Sequence, residues 1–333
     1  MLYVQVSPNI PMHVPNHRDE RILVTGALGQ IGTELVVALR ENYGKDSVLA
    51  TDIRQPKDHP LLENGPFMLL DALDREMVIK TCIGNEIGAI YHLAAILSAT
   101  GESNPELCRE INIGGISSIL DAAKICGLRV FSPSSIAVFG PDAPKTPNQD
   151  TELNPTTVYG ETKVIGERLA REYWDNFQVD TRGIRYPGLI SYKAPAGGGT
   201  TDYAVEIFHA AVNSGHYRCF VRPDTRLPML YMDDAIRATI SLMGHTFDSL
   251  PPHCFGYNIS CLSFTARELA DAIADRVEGF TCEFLPDIRQ NYADSWPDSI
   301  DGSVANEEWN WEPEFDLEAI VDVMLQGIHA NQS

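Results

Sequence analysis

The sequence predicts an α/β fold, a doubly wound parallel sheet with a smaller C-terminal lobe. Three observations carry the prediction. Short apolar runs alternate with amphipathic helical segments over residues 21–190. A glycine-rich turn joins the first run to the first helix. Beyond about residue 190 the alternation weakens and Pro, Gly and aromatic residues become denser. Strands alternating with helices imply βαβ units and a parallel sheet. Right-handed crossovers then place helices on both faces. A chain of 333 residues has length for about two domains.

The elements follow in order. Residues 21–26 (RILVTG) read as a first strand, and 31–43 as a helix with Leu28, Ile31, Leu35 and Leu39 on one face. Residues 47–52 (SVLATD) and 66–71 (PFMLLD) are the second and third strands, with a helix at 74–83. Residues 90–95 (IYHLAA) are the fourth strand, and 104–126 a helix stopped by Gly127. Residues 129–135 (RVFSPSS) form a fifth strand, 158–177 a helix and 180–190 a sixth strand. Helices are expected at 204–214, 233–243 and 265–276. The piece at 233–243 is expected to return to the sheet, which makes the domain boundary discontinuous. Residues 20–190 plus about 233–250 are expected to form the nucleotide domain. The substrate lobe takes about 191–232 and 251–325, and 1–19 is an N-terminal extension.

Composition narrows the function classes. The net charge of −21 repels phosphate backbones and anionic lipid surfaces, so neither nucleic acid nor membrane is an expected partner. No run of 18 apolar residues exists to span a bilayer. The first 15 residues hold three prolines and no basic cluster, unlike a secretory signal, and Arg18 alone gives a mitochondrial address slight support. Seven cysteines without paired spacing read as reduced thiols of a soluble, intracellular protein, and no metal site is expected.

The turn Gly26-Ala27-Leu28-Gly29-Gln30-Ile31-Gly32 opens the first helix. A pyrophosphate needs close approach to backbone N–H groups at a helix N-terminus, which glycine permits. The spacing is one residue longer than G-x-G-x-x-G. A tight structural turn explains glycines alone equally well; the flanking strand and helix favour a Rossmann-like dinucleotide site. Asp52 lies 20 residues after Gly32, at the end of the second strand. A carboxylate there accepts hydrogen bonds from ribose hydroxyls and repels a 2′-phosphate, so NAD is expected over NADP. Arg54 nearby is the residue that would accommodate such a phosphate.

Tyr159 and Lys163 stand at i and i+4 and share a helix face. A phenol is a poor base at neutral pH, and a neighbouring ammonium is expected to lower its pKa. Ser134 and Ser135 end the fifth strand, where a hydroxyl would hold a reacting oxygen beside the phenol.

In chain order TGALGQIG, Asp52, LLDALD, YHLAA, FSPSSIAVFG, YGETK and RYPGLI resemble the extended short-chain dehydrogenase/reductase family over residues 20–325. Three C-terminal strings, PAGGGTTDYAVEIFHAA, RLPMLYMDDAIRATI and ADSWPDSIDGSVANEEWNWEPEFDL, resemble its threonine-oxidising branch. The resemblance implies NAD-dependent oxidation of the L-threonine 3-hydroxyl to L-2-amino-3-oxobutanoate. It implies Tyr159 as base, Lys163 as its activator and ribose contact, and Ser135 as the oxygen-binding hydroxyl, with Ser134 as the register alternative. Gly26, Gly29, Gln30, Ile31 and Gly32 match the pyrophosphate loop, and Asp71 and Ala72 the adenine contact. Leu93, Ala94, Ala95, Asn112 and Tyr186 match further cofactor-lining positions. Ser98, Thr200, Thr201 and Trp296 are the expected substrate contacts, with Gly197–Gly199 inside a mobile stretch at 195–202. The resemblance also implies a homodimer through the helices at 104–126 and 158–177. Burial of their second apolar face under the chain's own lobe is the alternative.

Two rivals remain. A nucleotide-sugar epimerase or dehydratase of the same fold would grip a diphosphate with Arg218, Arg222 and Arg226. A non-catalytic NAD-binding protein would not need both Tyr159 and Lys163.

Overall fold

The computed structural model describes residues 20–57, 59–194, 197–247 and 251–332. The expected extension at 1–19 lies outside them, as do 195–196 of the glycine-rich stretch and 248–250 of the 233–250 segment. Six parallel strands form the main sheet: β1 (Arg21–Thr25), β2 (Val48–Asp52), β3 (Phe67–Leu69), β4 (Ile87–His92), β5 (Arg129–Phe131) and β6 (Thr181–Arg182). Their order is β3-β2-β1-β4-β5-β6. The order reverses between β1 and β4, and ligands of such sheets lie in the crevice outside the strand ends at that point.

β2 is buried along its length and β1 from its second residue onward, because helices cover both faces. On one face Leu35 and Leu39 of Gln30–Tyr43 pack with Ala238 of Met232–Gly244, Trp309 and Trp311. On the other, Val78 of Arg75–Gly84 meets Ile116, Ile119 and Leu120 of Pro105–Cys126. Local chemistry sets the helix ends. The Asp74 carboxylate accepts from Met77 N, and Gly127 at φ +71° ends the helix before β5.

Two expected strands are each cut into pieces that join different sheets. In 129–135 only Arg129–Phe131 stays in the main sheet; Pro133 interrupts the run, and Ser134–Ser135 pairs elsewhere. In 180–190 the chain leaves the main sheet after Arg182. Gly183 allows this, since a Cβ there would lie 2.5 Å from Phe255 O and 2.7 Å from Ser132 O. Ile184–Tyr186 then pairs with Ser134–Ser135 and with Tyr257–Asn258. After Pro187, Gly188–Ile190 pairs with Arg226–Tyr231. β4 covers Ile87–His92 rather than 90–95; Leu93 N donates to Thr25 O at 3.1 Å, and Ala94 and Ala95 continue as a loop.

Beyond the main sheet, Arg226–Tyr231 lies between Gly188–Ile190 and Leu262–Thr265. The helices Tyr203–Ser214, Ala266–Ala274 and Leu317–Asn331 supply Phe208, Leu269 and Met324 to the core around Leu227. Among the described residues no helix is long and apolar enough to cross a membrane. Among them, too, no group of three or more His, Cys, Asp or Glu could hold a metal ion.

Candidate active site

A cavity of about 540 Å³ lies outside the ends of β1 and β4. Most of the expected site residues line it. Gly26, Gly29, Gln30, Ile31 and Gly32 come from the turn, Asp52 from β2, and Asp71 and Ala72 from the loop after β3. Leu93, Ala94 and Ala95 follow β4, and Ser98, Ser135, Tyr159, Lys163, Tyr186, Thr201 and Trp296 complete the set.

The turn is a close-packed cradle. Gly26 sits at φ +69°, and a Cβ on it would lie 2.6 Å from Ala94 N. A Cβ on Gly32 would lie 2.3 Å from Gly26 O. Gly29 precedes the helix without a capping side chain, so the helix presents open N–H groups and a positive dipole end to the cavity. The amide nitrogen of Gln30 is buried there with no partner among the described residues. An anionic diphosphate suits such donors.

Asp52 is 4% exposed and accepts from Leu28 N at 3.0 Å and from Arg54 N and Nε, each at 3.0 Å. Burial pushes its carboxyl up, but these donors outweigh it and hold the group below the usual range. Arg54 is folded back onto Asp52 in a bidentate pair.

The two serines face opposite ways. Ser134 pairs with Arg185 and Ser135 with Tyr186 in a two-residue parallel ladder. Side chains alternate along a strand. The Ser134 hydroxyl therefore donates to Glu167, while Ser135 engages the Tyr159 phenol. Lys163 Nζ donates to Pro133 O at 2.8 Å and stands 5.6 Å from the Tyr159 ring centre. Burial pushes the phenol up to about 12, with the Ser135 hydrogen bond pulling it down. Burial also brings the Lys163 amine down to about 8. In the chain alone the lowering of the phenol expected from Lys163 does not appear: burial raises it and the Ser135 hydrogen bond is what opposes that.

Two expected residues do not reach the cavity. Asn112 instead accepts from Ile96 N at 2.8 Å and donates to Thr162 Oγ1 at 3.1 Å, tying the loop after β4 to two helices. Thr200 is buried, with Oγ1 3.1 Å from Ser98 Oγ; its N–H also donates to that oxygen, at 3.0 Å. The Tyr186 hydroxyl is bonded to Thr239, leaving its ring for the wall. Trp296 Nε1 is buried without a partner among the described residues.

Asp202 was not anticipated. It lines the cavity and accepts from Gly198 N and Gly199 N, each at 2.8 Å. Burial pushes its carboxyl up. The only signal in sequence was its place just after the glycines. Within the stretch expected to be mobile, these bonds and Thr100 N to Gly198 O (3.4 Å) fasten the described part.

The family model for NAD dependent epimerase/dehydratase proteins matches residues 22–260. The chain belongs to this family. Among curated members of similar sequence is an uncharacterized epimerase/dehydratase of Staphylococcus aureus (strain USA300), 48% identical over 93% of this chain and 97% of that protein. Among solved structures, a monomeric L-threonine 3-dehydrogenase from a metagenome is 50% identical, with a TM-score of 0.90 over 94% of this chain and 100% of that one. The holo form of a GalE-like L-threonine dehydrogenase from Cupriavidus necator is 46% identical, with a TM-score of 0.89 over 92% of this chain and 99% of that one. NAD is the cofactor of this epimerase/dehydratase family, and the open helix start, Gln30 and Asp52 suit its pyrophosphate and ribose.

Proposed function

We propose that this chain is an NAD-dependent L-threonine 3-dehydrogenase, oxidising the 3-hydroxyl to give L-2-amino-3-oxobutanoate, NADH and a proton. The observation that carries it is near full-length identity of 50% and 46% to solved L-threonine dehydrogenases, joined to a cavity that holds Ser135, Tyr159 and Lys163 together.

The glycine turn and Gln30 hold the pyrophosphate, and Asp52 the adenosine ribose. When bound, NAD supplies the hydride acceptor and a positive charge near the phenol. Ser135 fixes the substrate oxygen, and Tyr159 takes its proton. Lys163, fastened to Pro133 O, keeps a cation beneath the phenol. Ser98, braced by Thr200, lies on the substrate side with Thr201 and Trp296. The unpartnered Trp296 Nε1 is a donor suited to the substrate carboxylate.

The epimerase reading lacks its diphosphate grip. Arg218 pairs with Glu283, Arg222 with Asp294 and Arg226 with Glu268, and none lines the cavity. A homodimer through Pro105–Cys126 and Val158–Phe177 is supported by exposed Leu107, Ile125 and Phe177; sedimentation at the mass of one chain would rule it out. The deciding experiment follows NADH absorbance with NAD⁺ and L-threonine, against L-serine and nucleotide sugars. Steady NADH release from threonine is expected; no release with any amino acid breaks the reading.

A further inference from the structure

Behind the reacting pair lies a buried carboxylate with no part in the chemistry above. Tyr159, Lys163 and Glu167 stand at i, i+4 and i+8 on Val158–Phe177, in one row along the helix. The side chains of Glu167 and Arg185 are 10% and 7% exposed. Glu167 Oε1 accepts from Arg185 Nε at 3.0 Å and from the Ser134 hydroxyl; Oε2 accepts from Arg185 at 2.8 Å. Arg185 is anchored in turn by Asn258 Oδ1 at 3.1 Å. A buried ion pair is a weak source of stability, since desolvation offsets its attraction. Its geometry is the more telling feature.

Glu167 grips both members of one rung, Ser134 and Arg185. The other rung, Ser135 and Tyr186, lies wholly on the cavity, whereas of the Ser134–Arg185 rung only Ser134 reaches its lining. A slip of one residue would exchange the two faces, and a two-residue ladder has little backbone pairing to resist it. Glu167 and Lys163 also line one small chamber of about 30 Å³. The titratable groups around Lys163 are Tyr159 and Glu167 on its own helix, His92 at the end of β4 and Cys108 on Pro105–Cys126. Burial keeps His92 and the Cys108 thiol neutral at pH 7, and the Tyr159 phenol is protonated there. Glu102 of Ser98–Ser103 accepts from Tyr159 N at 3.1 Å and Arg185 pairs with Glu167; of the two carboxylates, Glu167 is the one that acts on Lys163.

We propose that Glu167 is a positioning residue for the oxidation: it holds the rung that turns Ser135 toward the phenol, and its charge keeps Lys163 cationic in a buried setting. The proposal rests on Ser135, Tyr159 and Lys163 as the reacting set. It agrees with the forces on Lys163, where burial lowers the amine and is opposed by Cys108 only when that thiol ionises and by the Glu167 carboxylate.

The test is Glu167→Gln, which keeps an acceptor for Ser134 and removes the charge. The Lys163 titration should move down by about one unit, a tenfold change in its proton affinity. It is read in the cofactor-free protein by NMR of ¹³C-labelled lysine; of the seven lysine signals, Lys163 is the one missing from Lys163→Arg. The alkaline limb of kcat should move equally. Turnover near pH 9 then falls about tenfold, and near pH 7 less than about threefold. Ser134→Ala isolates the grip: kcat should fall roughly threefold to tenfold, with the Lys163 titration unmoved. If Glu167→Gln does not fold, Glu167→Asp takes its place, keeping the charge but losing reach to Ser134. It should hold the Lys163 titration and lower kcat as Ser134→Ala does. An unmoved Lys163 titration in folded Glu167→Gln overturns the proposal, as does wild-type kcat in Ser134→Ala or Glu167→Asp. If the wild-type chain forms no NADH from threonine, the proposed function fails and the NMR titration alone judges the role of Glu167.

Discussion

The proposed nucleotide half of the cavity is built from short stretches of chain, and the proposed substrate half from pieces far apart in sequence. Gly26 to Gly32 form one turn whose open N–H groups belong to the backbone, and Asp52 is held by Leu28 N and Arg54, at most 24 residues away. Ser98 on the substrate side depends on Thr200, 102 residues away. A local motif carries its chemistry in its own backbone. A site assembled over long distances depends on hydroxyls and amides whose partners are set by packing.

The largest expected effect is at the junction of the halves. Tyr159→Phe should lower kcat by about 10²- to 10⁴-fold while NAD⁺ affinity, read by fluorescence quenching, holds. Parallel loss of NAD⁺ binding would show that the phenol belongs to the nucleotide half. Gly32→Ala strikes that half directly, because its Cβ meets Gly26 O at 2.3 Å. It should cost about 1–3 kcal/mol of stability, seen in urea melts, and weaken NAD⁺. An alanine variant with wild-type stability and affinity would show the turn to be pliable.

Thr200→Val strikes the other half by removing the hydroxyl beside Ser98 Oγ, leaving only the residue 200 N–H to hold it. The KM for threonine should rise roughly tenfold with NAD⁺ affinity unchanged. A shift in both constants would mean that the halves are coupled.

The smallest effect concerns His92, whose Nδ1 lies 2.8 Å from Thr25 Oγ1 under the nucleotide half. Burial, aided by Lys163, brings its folded pKa down to about 3. The unfolded chain therefore takes up this proton below about pH 6.5 while the folded chain does not. Stability from neutral His92 is complete above that pH and is lost as pH falls toward about 3, amounting to about 1 kcal/mol at pH 6. His92→Asn should flatten the dependence of Tm on pH in this window; an unchanged slope would show that other groups carry it.

What was legible follows the same division. The glycine spacing, Asp52 and the Tyr159–Lys163 pair were visible because each obeys a fixed local period, the turn or the helix repeat. Thr200 and Thr201 are adjacent hydroxyls, and nothing local tells which one reaches the cavity. Ser134 and Ser135 pose the same problem, solved by the ladder with Arg185 and Tyr186. Asn112 carried a cofactor expectation from resemblance, yet its amide is satisfied by Ile96 and Thr162. The runs at 129–135 and 180–190 read as single strands because apolar pattern does not reveal where a chain changes sheets. Pro133, Gly183 and Pro187 mark those points only once the neighbouring chain is in place.

By itself the sequence determined the parallel α/β architecture, the glycine turn that opens the first helix and the pairing of phenol with amine, since these rest on backbone geometry and helix periodicity. Tertiary structure alone decided which serine meets the phenol, how Thr200 braces Ser98 and that Glu167 sits behind Lys163. Those choices depend on register and burial, which exist only after distant segments have packed together.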